Sequence, residues 1–234
     1  MRIHTRASIQ VPQSARPRLM GGGGGLAVAA LLALLGLVRD AGAAYANGYS
    51  FRRLIDITDA QVSAGPHANF PVLSSMTLTD LRTTANGGDV TDAQGDDIIF
   101  TDGDGATQFA HEVETYTATT GALIAWVRVS SMAAASTFYI YYGNSAVTTF
   151  QGNVVSSGVT GVWDANYKGV WHLNEDPAGT APQMKDRTSN AKHLTATGSP
   201  TQKTDSKIGS GVNNPDGADV TNTSFSGVAR LREH

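Results

Sequence analysis

Beyond residue 50, apolar and polar side chains mostly alternate with a period of two, the repeat of strands with one buried face. In Phe51-Arg-Arg-Leu-Ile-Asp-Ile57 the positions Phe51, Arg53, Ile55 and Ile57 share one face. Further strands are expected over residues 70–78, 97–101, 108–116, 123–129 and 137–142. The third runs into the turn Asp102-Gly-Asp-Gly105. In the fourth, Phe109, His111 and Val113 point one way and Glu112 and Glu114 the other. The sixth is rich in aromatic and β-branched residues and stops at Gly143-Asn144. Six strands in about ninety residues, with no convincing amphipathic helix, predict an all-β antiparallel sandwich over residues 47–145. A short helix near Leu78 to Leu81, or near Met132 to Ala135, would not alter it.

Residues 145–161 carry no charge and read as a linker or irregular connection, placed at 146–161. Strand character resumes in Gly169-Val-Trp-His-Leu-Asn174. Residues 176–219 are polar and rich in turn signals. Only 60 residues follow Asn174, too few for a second sandwich, so this unit is expected to be incomplete or to pack onto the first domain.

The first forty residues break the alternation. Arg2, Arg6, Arg16 and Arg18 precede a glycine run, 21–25, and an apolar run of 13 residues, 26–38. Small residues then offer A-x-A sites, with cleavage expected after Ala43 or Ala46. This is the layout of a secretory signal peptide over residues 1–43. A retained anchor is the alternative, but thirteen helical residues span about 20 Å, short of a roughly 30 Å hydrocarbon core. The glycine run lacks the Gly-Lys-Ser/Thr of a phosphate loop. No later stretch is apolar enough to span a membrane, so contact with one would need the uncleaved N-terminus or a partner.

The 234-residue chain has a net charge of −3 and no cysteine. Disulfides, thiolate zinc sites and cysteine nucleophiles are therefore excluded. Five arginines against one aspartate lie in residues 1–43, leaving 12 basic and 19 acidic residues, net −7, beyond them. That acidity argues against a nucleic-acid partner.

Several segments together resemble a known family. They are Tyr49-Ser-Phe-Arg-Arg-Leu-Ile-Asp-Ile57, Asn69-Phe-Pro-Val-Leu73, Gly95-Asp-Asp-Ile-Ile-Phe-Thr-Asp-Gly-Asp-Gly105, His111-Glu-Val-Glu114, Ala125-Trp-Val-Arg-Val129 and Ile140-Tyr-Tyr-Gly-Asn144. Their order and spacing resemble an uncharacterised secreted family, classed only as a domain of unknown function. It often precedes a laminin-G/concanavalin-A-like jelly roll in bacterial and archaeal surface proteins. Val162-Trp-Asp-Ala-Asn-Tyr-Lys-Gly-Val-Trp-His-Leu-Asn-Glu175 looks like the entry strand of that jelly roll. Asp186-Arg-Thr-Ser-Asn190 resembles its following turn, and Asp216-Gly-Ala-Asp-Val220 a later strand entry, with Pro215 where an aromatic is usual. The resemblance implies an incomplete jelly-roll segment over 162–234 and reads as a truncated or frame-shifted gene product. In relatives the pairing is also fused to a proton-channel unit of the biopolymer-transport type.

Glu112 and Glu114, two apart on a strand, would share a face about 7 Å apart, near the spacing of glycosidase carboxylate pairs. Concanavalin-like glycosidases use a Glu-x-Asp-x-x-Glu strand. Here residues 115–118 are Thr, Tyr, Thr and Ala, so the third carboxylate is missing and the plain alternative is a solvated strand face. Asp97, Asp102 and Asp104 offer hard oxygen ligands for calcium, as do Asp186, Asp216 and Asp219. Against this, Asp-Gly-Asp-Gly is a good turn in its own right, and Val113 stands where an EF-hand would place its last carboxylate. Trp126, Trp163, Trp171, Tyr139 and Tyr141 are candidate sugar platforms, with core packing the expectation for Trp171. His111-Glu112 lacks the second histidine of a zinc helix, since Thr115 is there. Gly143-Asn-Ser145-Ala-Val147 fails as a nucleophile elbow.

The expectation is thus an exported, non-catalytic module. It would bind a glycan or surface polymer through Trp126, Tyr139, Tyr141, Glu112 and Glu114, with no cofactor unless calcium at Asp97, Asp102 and Asp104. The alternatives are an accessory or sensor domain beside a proton-channel system, and a glycoside hydrolase fragment using Glu112 and Glu114. Oligomeric state is left open.

Overall fold

In a computed structural model, the described residues are 45, 47–57, 62, 65–133, 135–152, 161–215 and 218–221. The leader expected at 1–43, its cleavage site at Ala43 or Ala46, and Asp216 lie outside them. Among the described residues no helix is long and apolar enough to cross a membrane.

Six strands build the body: β1 (Phe51–Asp56), β2 (His67–Thr77), β3 (Ile99–Asp102), β4 (His111–Thr117), β5 (Ala122–Met132) and β6 (Thr137–Tyr142). They form two antiparallel sheets, ordered β1-β6-β3 and β2-β5-β4. Their inner faces share one core. Ile55, Phe100, Phe138 and Ile140 come from the first sheet, and Val72, Leu123, Ala125, Val127 and Val129 from the second. The fold is the expected all-β sandwich, and alternation built it, since a period of two sends every second side chain inward. The short helix allowed for near Leu78 to Leu81 is one 3₁₀ turn, Thr79–Leu81.

Side chains join the two sheets at one end. Arg53 Nε on β1 reaches Asp80 Oδ2 at 2.6 Å, and the Tyr142 hydroxyl of β6 donates to the same oxygen at 2.5 Å. Asp80 sits in the turn after β2, so this carboxylate ties the first sheet to the second. At the β4–β5 hairpin, Gly121 has φ +70°, and a Cβ there would stand 1.9 Å from the Leu78 carbonyl. Only glycine lets the hairpin close against the end of β2.

One irregularity decides what β4 presents. His111, Glu112 and Val113 pair with Val127, Trp126 and Ala125, but Thr115 pairs with Ile124, leaving Glu114 as the extra residue of a bulge. Past the bulge the parity flips. Tyr116 packs against the core and donates its hydroxyl to Leu81 O at 2.8 Å.

Described residues beyond 146 also contact this body. Val147 packs on the Tyr49–Ile99–Tyr141 cluster, and Gly152 O accepts the His111 N–H. Residues 153–160 of the expected linker lie outside the described set. Further on, β7 (Thr195–Thr197) pairs with β10 (Asp219–Thr221), and β8 (Thr201–Lys203) with β9 (Gly211–Asn213). The strand expected over 169–174 does not form. Trp171 makes a single bridge to Asp186, and Leu173 adopts φ +59°, a left-handed conformation that ends an extended run.

Candidate functional site

The outer face of the β2-β5-β4 sheet is covered by the segment starting at residue 161. Trp126 on β5 points outward and is half-buried. Its indole N–H donates to Glu114 Oε2 at 2.9 Å. Its ring stacks on His172, with centroids 6.0 Å apart and planes 9° apart, and tilts against Trp163 at 5.3 Å. Trp163 donates its own indole N–H to Glu112 Oε2 at 2.8 Å.

His172 sits between the two carboxylates. Its Nε2 is 3.2 Å from Glu112 Oε1 and its Nδ1 is 3.5 Å from Glu114 Oε2. The imidazole and the Glu114 side chain are 4% and 2% exposed, so the pair is shielded from bulk solvent. Arg187 Nε adds a contact to Glu112 Oε1 at 3.2 Å, and Asn174 Nδ2 donates to Glu114 O at 3.0 Å. Burial pushes the Glu112 carboxyl up. Hydrogen bonds from His172 and Trp163, with the charges of His172 and Arg187, more than reverse it, so it ionises below the ordinary glutamate range. The flanking Arg128 is held by Gly161 O at 3.2 Å and Asp164 at 3.6 Å.

Alternation puts Glu112 and Glu114 on the same side of β4, with Trp126 beside them, and the bulge falls at Glu114 itself. Both carboxylates are spent on docking the 161–187 segment. They are not a solvated strand face, since their oxygens face tryptophan, histidine and arginine.

The aspartates have comparable duties. Asp97 is fully buried and accepts five bonds, from Thr91 N, Thr91 Oγ1, Gly143 N and Asn144 N on Oδ2 and from Asp92 N on Oδ1. It pins the 91–92 loop and the end of β6 to the start of β3. Asp104 accepts from Ala106 N, Thr107 N and Thr107 Oγ1, which holds its carboxyl below the usual range, and Asp102 accepts from Gly103 N. These are turn contacts. Asp186 likewise accepts from Val170 N, Thr188 N, Thr188 Oγ1 and Lys192 N. Among the described residues no three histidine or carboxylate side chains come together as a metal site, Asp97, Asp102 and Asp104 included. His111 is buried between the edges of Phe100 and Phe150, and that burial lowers it from 6.5 to about 4. It is a core residue.

The aromatic candidates divide. Tyr141 is 1% exposed, so it is not an open platform. Trp126, Trp163 and Trp171 are all donors within the fold, Trp171 to Lys192 O at 2.8 Å. Tyr139 keeps partial exposure on the outer face of β6.

An open cleft of about 550 Å³ lies at the other end of the sandwich, lined by Ser50, Phe51, Thr84, Asp89, Thr91 and Ser145, with Gly87, Gly88 and Gly143 completing it. Phe51 is 41% exposed and lies near-parallel to Tyr142, with centroids 5.8 Å apart. Its neighbours supply hydroxyls, backbone and one carboxylate. Sequence reasoning missed this site because Phe51 alternates with core residues. The available signal was its place at the strand's first position, where a sandwich core runs out.

Comparison with known proteins gives one likeness. Residues 94–165 match a family model described as a domain of unknown function (DUF2341). The match spans β3 to β6 and reaches Trp163, the first aromatic of the covering segment. No curated protein and no solved structure matches the chain.

Proposed function

We propose that the chain is an exported, non-catalytic module that binds a glycan or another surface polymer in the cleft beside Phe51. The carrying observation is an exposed aromatic ring set among Ser50, Thr84, Thr91 and Ser145 in an open cleft of about 550 Å³. Sugars present apolar C–H faces to aromatic rings and hydroxyls to short polar side chains, and this lining offers both. The commitments of Glu112 and Glu114 support the non-catalytic side of the reading. The signal-like leader supports export, and the motifs at 162–190 support kinship of the second segment with laminin-G/concanavalin-A-like domains.

The test is a glycan array probed with the full chain and with Phe51→Ala. The wild type binds a subset of glycans, and Phe51→Ala weakens that binding about tenfold, the scale of one lost aromatic contact. A flat array for the wild type, or unchanged binding by the variant, would overturn the reading.

A further inference from the structure

On the outer face of the β1-β6-β3 sheet an arginine is clasped by tyrosines. The Arg52 guanidinium carbon lies 4.4 Å from the ring centre of Tyr139, 4.6 Å from that of Tyr45 and 5.9 Å from that of Tyr141. Its Nη1 donates to the Tyr141 hydroxyl at 3.0 Å. Tyr141 meets Tyr45 and Tyr139 edge-on at 5.3 and 6.0 Å, which fixes the rings that hold the guanidinium. Arg52 itself is exposed, and among the described residues no carboxylate pairs with it. Tyr141 takes one of five guanidinium N–H groups.

The Asp102-Gly-Asp-Gly105 turn completes the surroundings. Gly105 has φ +71°, and a Cβ there would stand 2.5 Å from the Tyr141 hydroxyl and 3.5 Å from Arg52 Nη1. Its carbonyl accepts from Asn47 Nδ2 at 3.3 Å. Asp104 pins the turn from within. Its glycine therefore brings bare backbone to the edge of the arginine.

We infer that Arg52, held between Tyr45 and Tyr139 beside Gly105 in a chain matured after Ala43, is a carboxylate-recognising site that takes a uronic-acid unit of an acidic glycan. A guanidinium held flat by aromatic rings keeps its planar fork pre-oriented, and that fork matches a carboxylate with two parallel bonds. The exposed tyrosine edges give a sugar ring something to lie against. The body carries net −7 beyond residue 43 and repels a polyanion at long range, so recognition comes from short contacts to single units. The inference rests on the glycan-binding reading and names the charge class of the ligand, but it uses side chains other than the Phe51 cleft.

Calorimetric titration of the full chain with a galacturonic acid trisaccharide, and with a neutral galactose trisaccharide of equal length, tests it. The acidic sugar is expected to bind more tightly. Arg52→Gln should weaken it about tenfold or more, Arg52→Lys should restore it only in part, and neither should move binding of the neutral sugar. Arg52 is exposed, so matching melting curves show that the variants fold. Equal affinity of Arg52→Gln and wild type for the acidic sugar overturns the inference. If only the neutral sugar binds and Phe51→Ala abolishes it, the Arg52 site falls and the cleft reading stands. If neither sugar binds and the array is flat, both fall.

Discussion

The rings of Trp126 and His172 lie 9° from parallel with centroids 6.0 Å apart, joining the central strand of one sheet to a segment well beyond the sandwich. Around that contact, two carboxylates, two indole N–H groups and an imidazole satisfy one another in a nearly dry layer. Such layers are strong when complete and costly when one member is missing.

The first prediction concerns that cost. Trp163→Phe keeps most of the ring contact with Trp126 but removes a donor to an ionised, mostly buried carboxylate. A loss of about 1–3 kcal/mol is expected in urea denaturation. A change within about 0.5 kcal/mol, the usual range for surface substitutions, would mean that Glu112 finds water instead.

Asp97→Asn should cost more than any other aspartate substitution. The amide replaces one acceptor oxygen with a donor that faces N–H groups, and five bonds converge there. A loss of about 3 kcal/mol is expected in the same assay, with no dependence on calcium. Calcium-dependent melting of the wild type, abolished in this variant, would contradict the assignment of Asp97 as a structural acceptor.

Asp80→Asn tests the tie between the sheets. Burial raises the Asp80 carboxyl, and bonds from Arg53 and Tyr142 bring it below the usual range. Removing the charge leaves Arg53 facing the core edge without an ion partner. About 1–3 kcal/mol of destabilisation is expected. Arg53→Met with Asp80→Asn should recover part of it in a double-mutant cycle.

Acid should weaken the fold through His111. Burial beside Phe100 and Phe150 lowers it from 6.5 to about 4, against weaker opposing backbone contacts at Phe109 and Ile98. The unfolded chain then binds more protons than the folded one between those values. Stability is full above about 6.5 and falls as pH drops toward 4, by on the order of 3 kcal/mol from this group. His111→Phe should flatten the melting temperature in that window. Glu112, whose folded value is lowered, adds its own loss further down, as pH falls below the ordinary glutamate range.

The strand pattern was legible because its cause is local. Residues 137–142 form β6 with the expected bounds, and Phe138, Ile140 and Tyr142 share the core face that a period of two assigns them. The bulge at Glu114 was not legible, since alternation in β4 looks regular until it is registered against β5. That single residue moved Tyr116 inside. The fate of Trp126 and the two glutamates depended on a partner segment some fifty residues away, and no short-range rule names such a partner. The candidate platform Tyr141 failed because Tyr49 and Val147, from outside the sheet, cover it.

The indole N–H groups report most directly on the docking of the covering segment. Trp126, Trp163 and Trp171 each donate inside the fold, to Glu114, Glu112 and Lys192. A proton–nitrogen correlation spectrum of the protein in deuterated water should show three indole signals that exchange slowly. In Glu112→Gln the Trp163 signal should shift and exchange faster, while the signal of Trp171 stays in place. Indole signals of Trp126 and Trp163 that vanish at once in the wild type would contradict it, because the paired carboxylates would then face solvent.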